Sequence, residues 1–365
     1  MSIIIFIISL AILILVHEFG HFIVAKKSGI HVHEFGLGFP PKLWGKMWRG
    51  TEYTLNAIPF GGFVKIFGED AHNNTISEEE KPFSFAFKPK WVQALVLVAG
   101  VTMNILFAWV LISIGFMFGL PSPVEHEGLG TVRDAHVVIV NTLPGSPADV
   151  AGIKSGDSLV SISDGSTTLF GQKNTPEEIS NLIAYSTHDV ITVVLARGSE
   201  SQTVVIKPSI SIIPAKRAIG VAMDEIGILQ LPVHLALFEG ARTTIAIVKE
   251  TAVGLGEFFW HIVTFRADFS QVAGPVGIAG SVSQARTLGF VYILSLVALI
   301  SINLAVINLV PFPALDGGRL LFVIIEAIIR RPLSPSFVRW ANSIGFALLL
   351  ALMLIVTGHD ILRIL

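Results

Sequence analysis

The chain has 365 residues, 52% of them hydrophobic and only 14% charged. Soluble domains average about 25% charged residues, so composition excludes a wholly soluble protein and points to an integral membrane protein. The net charge of −2 gives no nucleic-acid signature. Cysteine is absent, which rules out disulfides and thiolate ligands and leaves histidine and carboxylate for any zinc.

The first apolar stretch, Ile3 to Ala25, carries no basic region and no small-residue cleavage site before its polar residues, and is expected to be a retained span. Within it His17, Glu18 and His21 form H-E-x-x-H. Histidines four residues apart share one helix face, so both imidazoles reach a single ion. Glu18 follows the first histidine directly, near the metal without being a ligand, where its carboxylate takes a proton from the attacking water. A solvated helix face is the bland alternative. It fits poorly, because Ile3 to Val16 holds no charge and a central carboxylate in a span costs about 2.5 to 3.5 kcal/mol.

Three further stretches are long enough for about 30 Å of hydrocarbon, namely Trp91 to Leu120, Gly289 to Val310 and Ala341 to Thr357. Lys26, Lys27, Lys42, Lys46, Arg49, Lys65, Lys81, Lys88 and Lys90 crowd the first loop, and Arg330, Arg331 and Arg339 the last. Both loops are expected in the cytoplasm, with the middle region outside. In the first loop, Thr51 to Leu55 and Phe63 to Phe67 alternate like strands around Pro59-Phe60-Gly61-Gly62, predicting a β-hairpin whose Trp44 and Trp48 suit a membrane interface. His31 and His33 are either additional ligands or solvated loop residues. Asn73 to Lys81 reads as a charged surface turn. In the second span Asn104 is the one strongly polar side chain, expected to bond across to the first helix, to pack between helices, or both.

From Pro121 the apolar runs become short and alternating. Val137 to Val140, Ser158 to Ile162, Val190 to Leu195 and Thr203 to Ile206 predict strands, and Pro176 to Ala184 a helix. Leu143 to Ile162 resembles the core of a PDZ domain, a fold that adds a peptide strand to a sheet edge. A small α+β domain with only a packing role is the alternative. Val233 to Phe265 has helical periodicity but carries His234, Glu239, Arg242, Lys249, Glu250 and Glu257, which suits an amphipathic surface helix rather than a span. After the third span, NLVPFPALDGGR breaks the helix at Pro311 and Pro313. Asp316 follows on the cytoplasmic side, either as a third metal ligand or as the cap of a helix from Gly317 to Arg330. With a third ligand the site would be His2Asp, open at a fourth position, as in catalytic zinc sites.

Together H-E-F-G-H, N-L-V-P-F-P-A-L-D-G-G and the PDZ-like stretch resemble the site-2 protease family of intramembrane zinc metalloproteases, most closely its bacterial branch with one PDZ domain. P-F-G-G-F-V-K at Pro59 to Lys65 is similar to that family's membrane-reentrant β-loop. The resemblance implies a polytopic α-helical membrane protein of about four transmembrane helices, with a membrane-associated β-hairpin loop and an inserted α+β PDZ-like domain. Its parts would be residues 1–120 with the HExxH helix and β-loop, 127–223 as the PDZ-like domain, 224–286 as an amphipathic connection, and 287–365 with the last two spans. It further implies Zn2+ bound by His17, His21 and Asp316, with Glu18 as general base and Asn308 and Pro311 in substrate binding. The substrates implied are single-span membrane proteins in the bacterial inner membrane, cut in regulated intramembrane proteolysis such as cleavage of anti-sigma factors or signal-peptide remnants. One departure stands out: the family commonly has Gly-Pro before the second-span Asn, whereas Gly100 here precedes Val101. A rival reading is a non-catalytic membrane scaffold that binds peptides through its PDZ domain, which has no need of Glu18. A metal-ion transporter is a further rival, disfavoured by the apolar run Ala347 to Val356.

Overall fold

The computed structural model describes residues 2–69, 76–125, 128–198, 200–213, 216–264, 266 and 274–364. The Asn73 end of the expected charged turn, Glu127 at the expected domain start, and Phe265 lie outside these. The chain forms two compact units, one of Met1–Ser113 with Gly240–Leu365 and the other of Ile114–Glu239.

Helix α1 (Ser2–Lys27) is free of proline and buries Ser9, Leu13, His17, His21 and Ala25, a series spaced by four that forms one continuous face. Strands β1 (Val32–Trp48) and β2 (Thr51–Ile66) follow, joined at Arg49 and Gly50, both in the left-handed region. Their pairing differs from a simple hairpin around Pro59 to Gly62. Glu34 is paired with both Lys65 and Glu52, so residues 32–37 lie between residues 62–66 and residues 51–55, while residues 44–48 pair on the far side of 51–55. The two runs expected to pair with each other therefore flank a third. Gly36 suits that third run because it is crowded: a Cβ there would meet the Phe63 ring at 2.5 Å. Leu43, Trp44, Met47 and Trp48 at the far end of the sheet are exposed apolar side chains. Helix α2 (Lys90–Phe118) comes next.

The Ile114–Glu239 unit begins with β3 (Leu120–Pro123) and β4 (Arg133–Thr142). The stretch from residue 143 to 162 supplies the short helix α3 (Pro147–Val150) and β5 (Ser158–Ser163). Then come β6 (Thr168–Phe170), α4 (Pro176–Tyr185), β7 (Ile191–Arg197), β8 (Glu200–Ile206), β9 (Ser209–Ile213), β10 (Lys216–Ala218) and β11 (Val221–Leu229). The main sheet runs β3-β11-β4-β5-β7-β8 with β6 on β5, and β9 pairs with β10 separately. Its strands and α4 bury Ile139, Leu159, Ile162, Ile179, Ile191 and Leu195 in one apolar core. Thr175 and Glu178 form a reciprocal capping box at the start of α4, with proline in its first turn. Asp157, almost fully buried, is neutralised by Arg197 through bonds of 2.6 and 2.7 Å. At the turn after β5 the backbone N–H groups of Thr167 and Ser166 hold the Asp164 carboxyl well below the usual carboxylate range.

The chain continues through α5 (Val233–Val263), α6 (Pro275–Leu288), α7 (Phe290–Leu309), α8 (Asp316–Ile329) and α9 (Pro335–Ile364). Among the described residues four helices are long and apolar enough to cross a membrane, at Ser2–Lys27, Lys90–Phe118, Phe290–Leu309 and Pro335–Leu362. Helix α5 is longer than α7 yet stays outside this group because its charges are spread along it. Sequence patterning did not anticipate α6. Its N-terminus is held from α9, where the buried Asp360 carboxylate accepts the Gly277 N–H at 2.8 Å and so satisfies a donor that the helix itself cannot.

Candidate metal centre

Three side chains from distant parts of the chain converge on α1. His17 Nε2 lies 2.9 Å from Asp316 Oδ2, His21 Nε2 lies 3.3 Å from the same oxygen, and the two histidine Nε2 atoms are 3.2 Å apart. Both imidazoles are more than nine-tenths buried. Zinc bonds of about 2.0 Å in a tetrahedron put donor atoms roughly 3.3 Å from one another, so this triangle is the right size for one ion. Among the described residues these three form the one such group of histidine and carboxylate donors.

Each donor is aimed by its surroundings. His21 Nδ1 is 2.8 Å from the Val96 carbonyl of α2; donating its hydrogen there leaves Nε2 bare on the cluster side. His17 Nδ1 faces the Asn104 amide at 3.3 Å. Room for both rings comes from Gly100, where a Cβ would lie 2.4 Å from His21 Nε2 and 2.9 Å from His17 Cε1. Residues 96, 100 and 104 therefore make one line down α2, each meeting a histidine of α1. The helices approach closely because a Cβ on Gly20 would lie 2.3 Å from the Ala99 carbonyl. Spacing of four was visible in the sequence for Gly100 and Asn104, but nothing in composition said which helix they would face.

Asp316 is the first residue of α8 and makes no cap bond; the cap position is Leu315. Its carboxylate is turned to His17 and His21 instead of to its own helix N-terminus. The break after α7 makes this possible. Ala314 adopts a left-handed backbone, its N–H donates to Asn342 Oδ1 of α9 at 3.2 Å, and Gly317 and Gly318 pack on the preceding backbone. A Cβ on Gly317 would lie 2.2 Å from the Val310 carbonyl, so the second and third residues of Asp-Gly-Gly bring α8 against the break that precedes it.

Glu18 lies outside the donor triangle. Its Oε2 accepts the Val64 N–H of β2 at 3.1 Å, a contact with no signal in residue pattern or spacing. Asn308 is half-buried in the last turn of α7, and Pro311 is exposed in the break; neither belongs to the triangle. His31 and His33 are elsewhere: His31 stacks on Phe83 with ring centroids 4.3 Å apart, and His33 meets the Phe67 ring edge-on.

A model described as peptidase family M50 matches residues 5–352. The chain belongs to peptidase family M50. It is therefore a peptidase, and its four apolar helices suit the membrane setting of that family. Its M50 relatives include a Clostridium perfringens protein named "Putative zinc metalloprotease", 34% identical over 99% of both chains. A Nostoc protein with the same description is 37% identical over 96% of this chain and 93% of its own. The zinc metalloprotease RasP of Oceanobacillus iheyensis is 29% identical over 100% of this chain and 99% of its own.

Proposed function

We propose that this M50 peptidase is a zinc-dependent intramembrane endopeptidase, with His17, His21 and Asp316 as ligands and Glu18 as general base. The observation that carries the reading is the meeting of Asp316 with two histidines 299 and 295 positions earlier, buried at the size of a single ion site. The names of the relatives agree on zinc. When bound, zinc supplies Lewis acidity that polarises a scissile carbonyl and lowers the pKa of water to about 7. Glu18 takes the proton of the attacking water and returns it to the leaving amine. The Val64 N–H of β2 donates to the Glu18 carboxylate and so helps hold it in place.

A transmembrane substrate hides its peptide bonds in helical hydrogen bonds and has to unwind before cleavage. Residues 62–66 pair on one side only, so apart from the Val64 N–H held by Glu18 their other edge offers an extended chain a strand to pair with, and Asn308 and Pro311 lie by the break after α7 to serve the same purpose. Single-span membrane proteins are thus the substrates, in regulated intramembrane proteolysis of the anti-sigma-factor or signal-peptide-remnant kind. The residue 127–223 region acts as a PDZ-like peptide binder that governs which substrates reach the site, from outside the bacterial inner membrane. Purified protein in vesicles with a single-span substrate should yield fragments whose masses place the cut inside or beside the apolar segment, with cleavage lost to a zinc chelator. Intact substrate after full zinc loading contradicts this reading.

Orientation has its own test, since the chain has no cysteine. Ser77 replaced by cysteine is expected to escape an impermeant thiol reagent in intact cells and to react after permeabilisation, whereas cysteine at Ser201 of β8 should react in both. Ser199 lies outside the described residues. The reverse pattern would place the metal site toward the outside.

A further inference from the structure

We propose that Asn104 is a positioning residue that presents His17 to zinc by accepting the His17 Nδ1 hydrogen through its side-chain oxygen. The inference rests on the metal assignment above. Asn104 is fully buried on α2, its amide nitrogen lies 3.3 Å from His17 Nδ1, and its amide oxygen has no partner. Its backbone carbonyl accepts the Ser301 hydroxyl of α7 at 2.8 Å, so the residue is tied to two helices besides its own.

A neutral imidazole carries one hydrogen, on one nitrogen or the other. With the amide nitrogen toward His17, the amide donates to a bare Nδ1 and the ring hydrogen sits on Nε2, facing Asp316 at 2.9 Å. That form has no lone pair to give a metal at Nε2. Half a turn of the amide exchanges its oxygen and nitrogen without changing its shape. The oxygen then takes the Nδ1 hydrogen, and Nε2 is bare toward Asp316 and His21. His21 needs no such device, because the Val96 carbonyl opposite its Nδ1 can only accept. Asparagine thus serves His17 in either form. Leucine of the same size serves neither, and aspartate serves the zinc-binding form alone.

Zinc affinity of the purified full chain, measured by competition with a chelator, separates these cases. Asn104→Leu is expected to weaken zinc binding about 10- to 100-fold, while Asn104→Asp stays within a few-fold of the parent. Nitrogen-15 NMR of the zinc-loaded parent should show the His17 hydrogen on Nδ1, a readout that stands even if a variant fails to fold. Parent-like zinc affinity in Asn104→Leu, equal loss in Asn104→Asp, or a hydrogen on His17 Nε2 would overturn the proposal. Retention of zinc by His17→Ala would instead defeat the metal assignment itself, which keeps the two failures distinct.

Discussion

Replacement of Glu18 by glutamine is expected to leave zinc bound at one ion per chain and to reduce cleavage by at least about 10² to 10⁴-fold, the range supplied by a positioned general base. Glu18 is not among the three converging donors, so zinc binding is not expected to depend on it. Glutamine keeps an oxygen that accepts the Val64 N–H now bonded at 3.1 Å, so the contact between α1 and β2 survives. What disappears is the ability to accept a proton. Metal analysis and substrate cleavage on the same preparation read the two effects separately. Parent-like cleavage in this variant would remove Glu18 from the chemistry, and loss of zinc would make it a ligand.

Gly100→Ala should do as much damage with a single methyl group. The added carbon would lie 2.4 Å from His21 Nε2, 2.7 Å from His21 Cε1 and 2.9 Å from His17 Cε1, all well inside contact distance. Rigid rings cannot fold away, and backing α1 off α2 would open the close Gly20 to Ala99 approach. Both histidines are therefore pushed from the triangle. Zinc affinity is expected to fall at least about 100-fold, in line with the loss of more than a supporting contact, and cleavage with it. The thermal midpoint of the zinc-free protein checks that the fold persists. Normal zinc content in this variant would mean that the histidines do not hold the metal where their rings now sit.

The pairing of His17 and His21 on one helix was legible because its information is local. Spacing of four in an apolar run makes His17 and His21 neighbours whatever the rest of the chain does. Asp316 was ambiguous for the opposite reason: an aspartate before a helix caps it or leaves it, depending on what stands opposite, and only the fold brings His17 there. Strands β4, β5, β7 and β8 followed from alternation, whereas β3, β6, β9, β10 and β11 did not, and β11 sits between β3 and β4 in a register that no local pattern specifies. The sheet of β1 and β2 was read too simply. Residues 32–37 show no strand-like alternation, yet they occupy the middle of that sheet, where Gly36 relieves crowding against Phe63. The Val64 N–H that holds Glu18 had no sequence signal, because a backbone donor looks the same at every residue.

The claim that one zinc ion is held jointly by α1 and the start of α8 is tested most directly by the zinc content of the purified parent and of Asp316→Ala, assayed side by side. The parent is expected to carry one zinc per chain and the variant to carry almost none after dialysis, with its helical content unchanged. Stoichiometric zinc in Asp316→Ala would return Asp316 to the role of a helix-terminal residue and place the third ligand elsewhere.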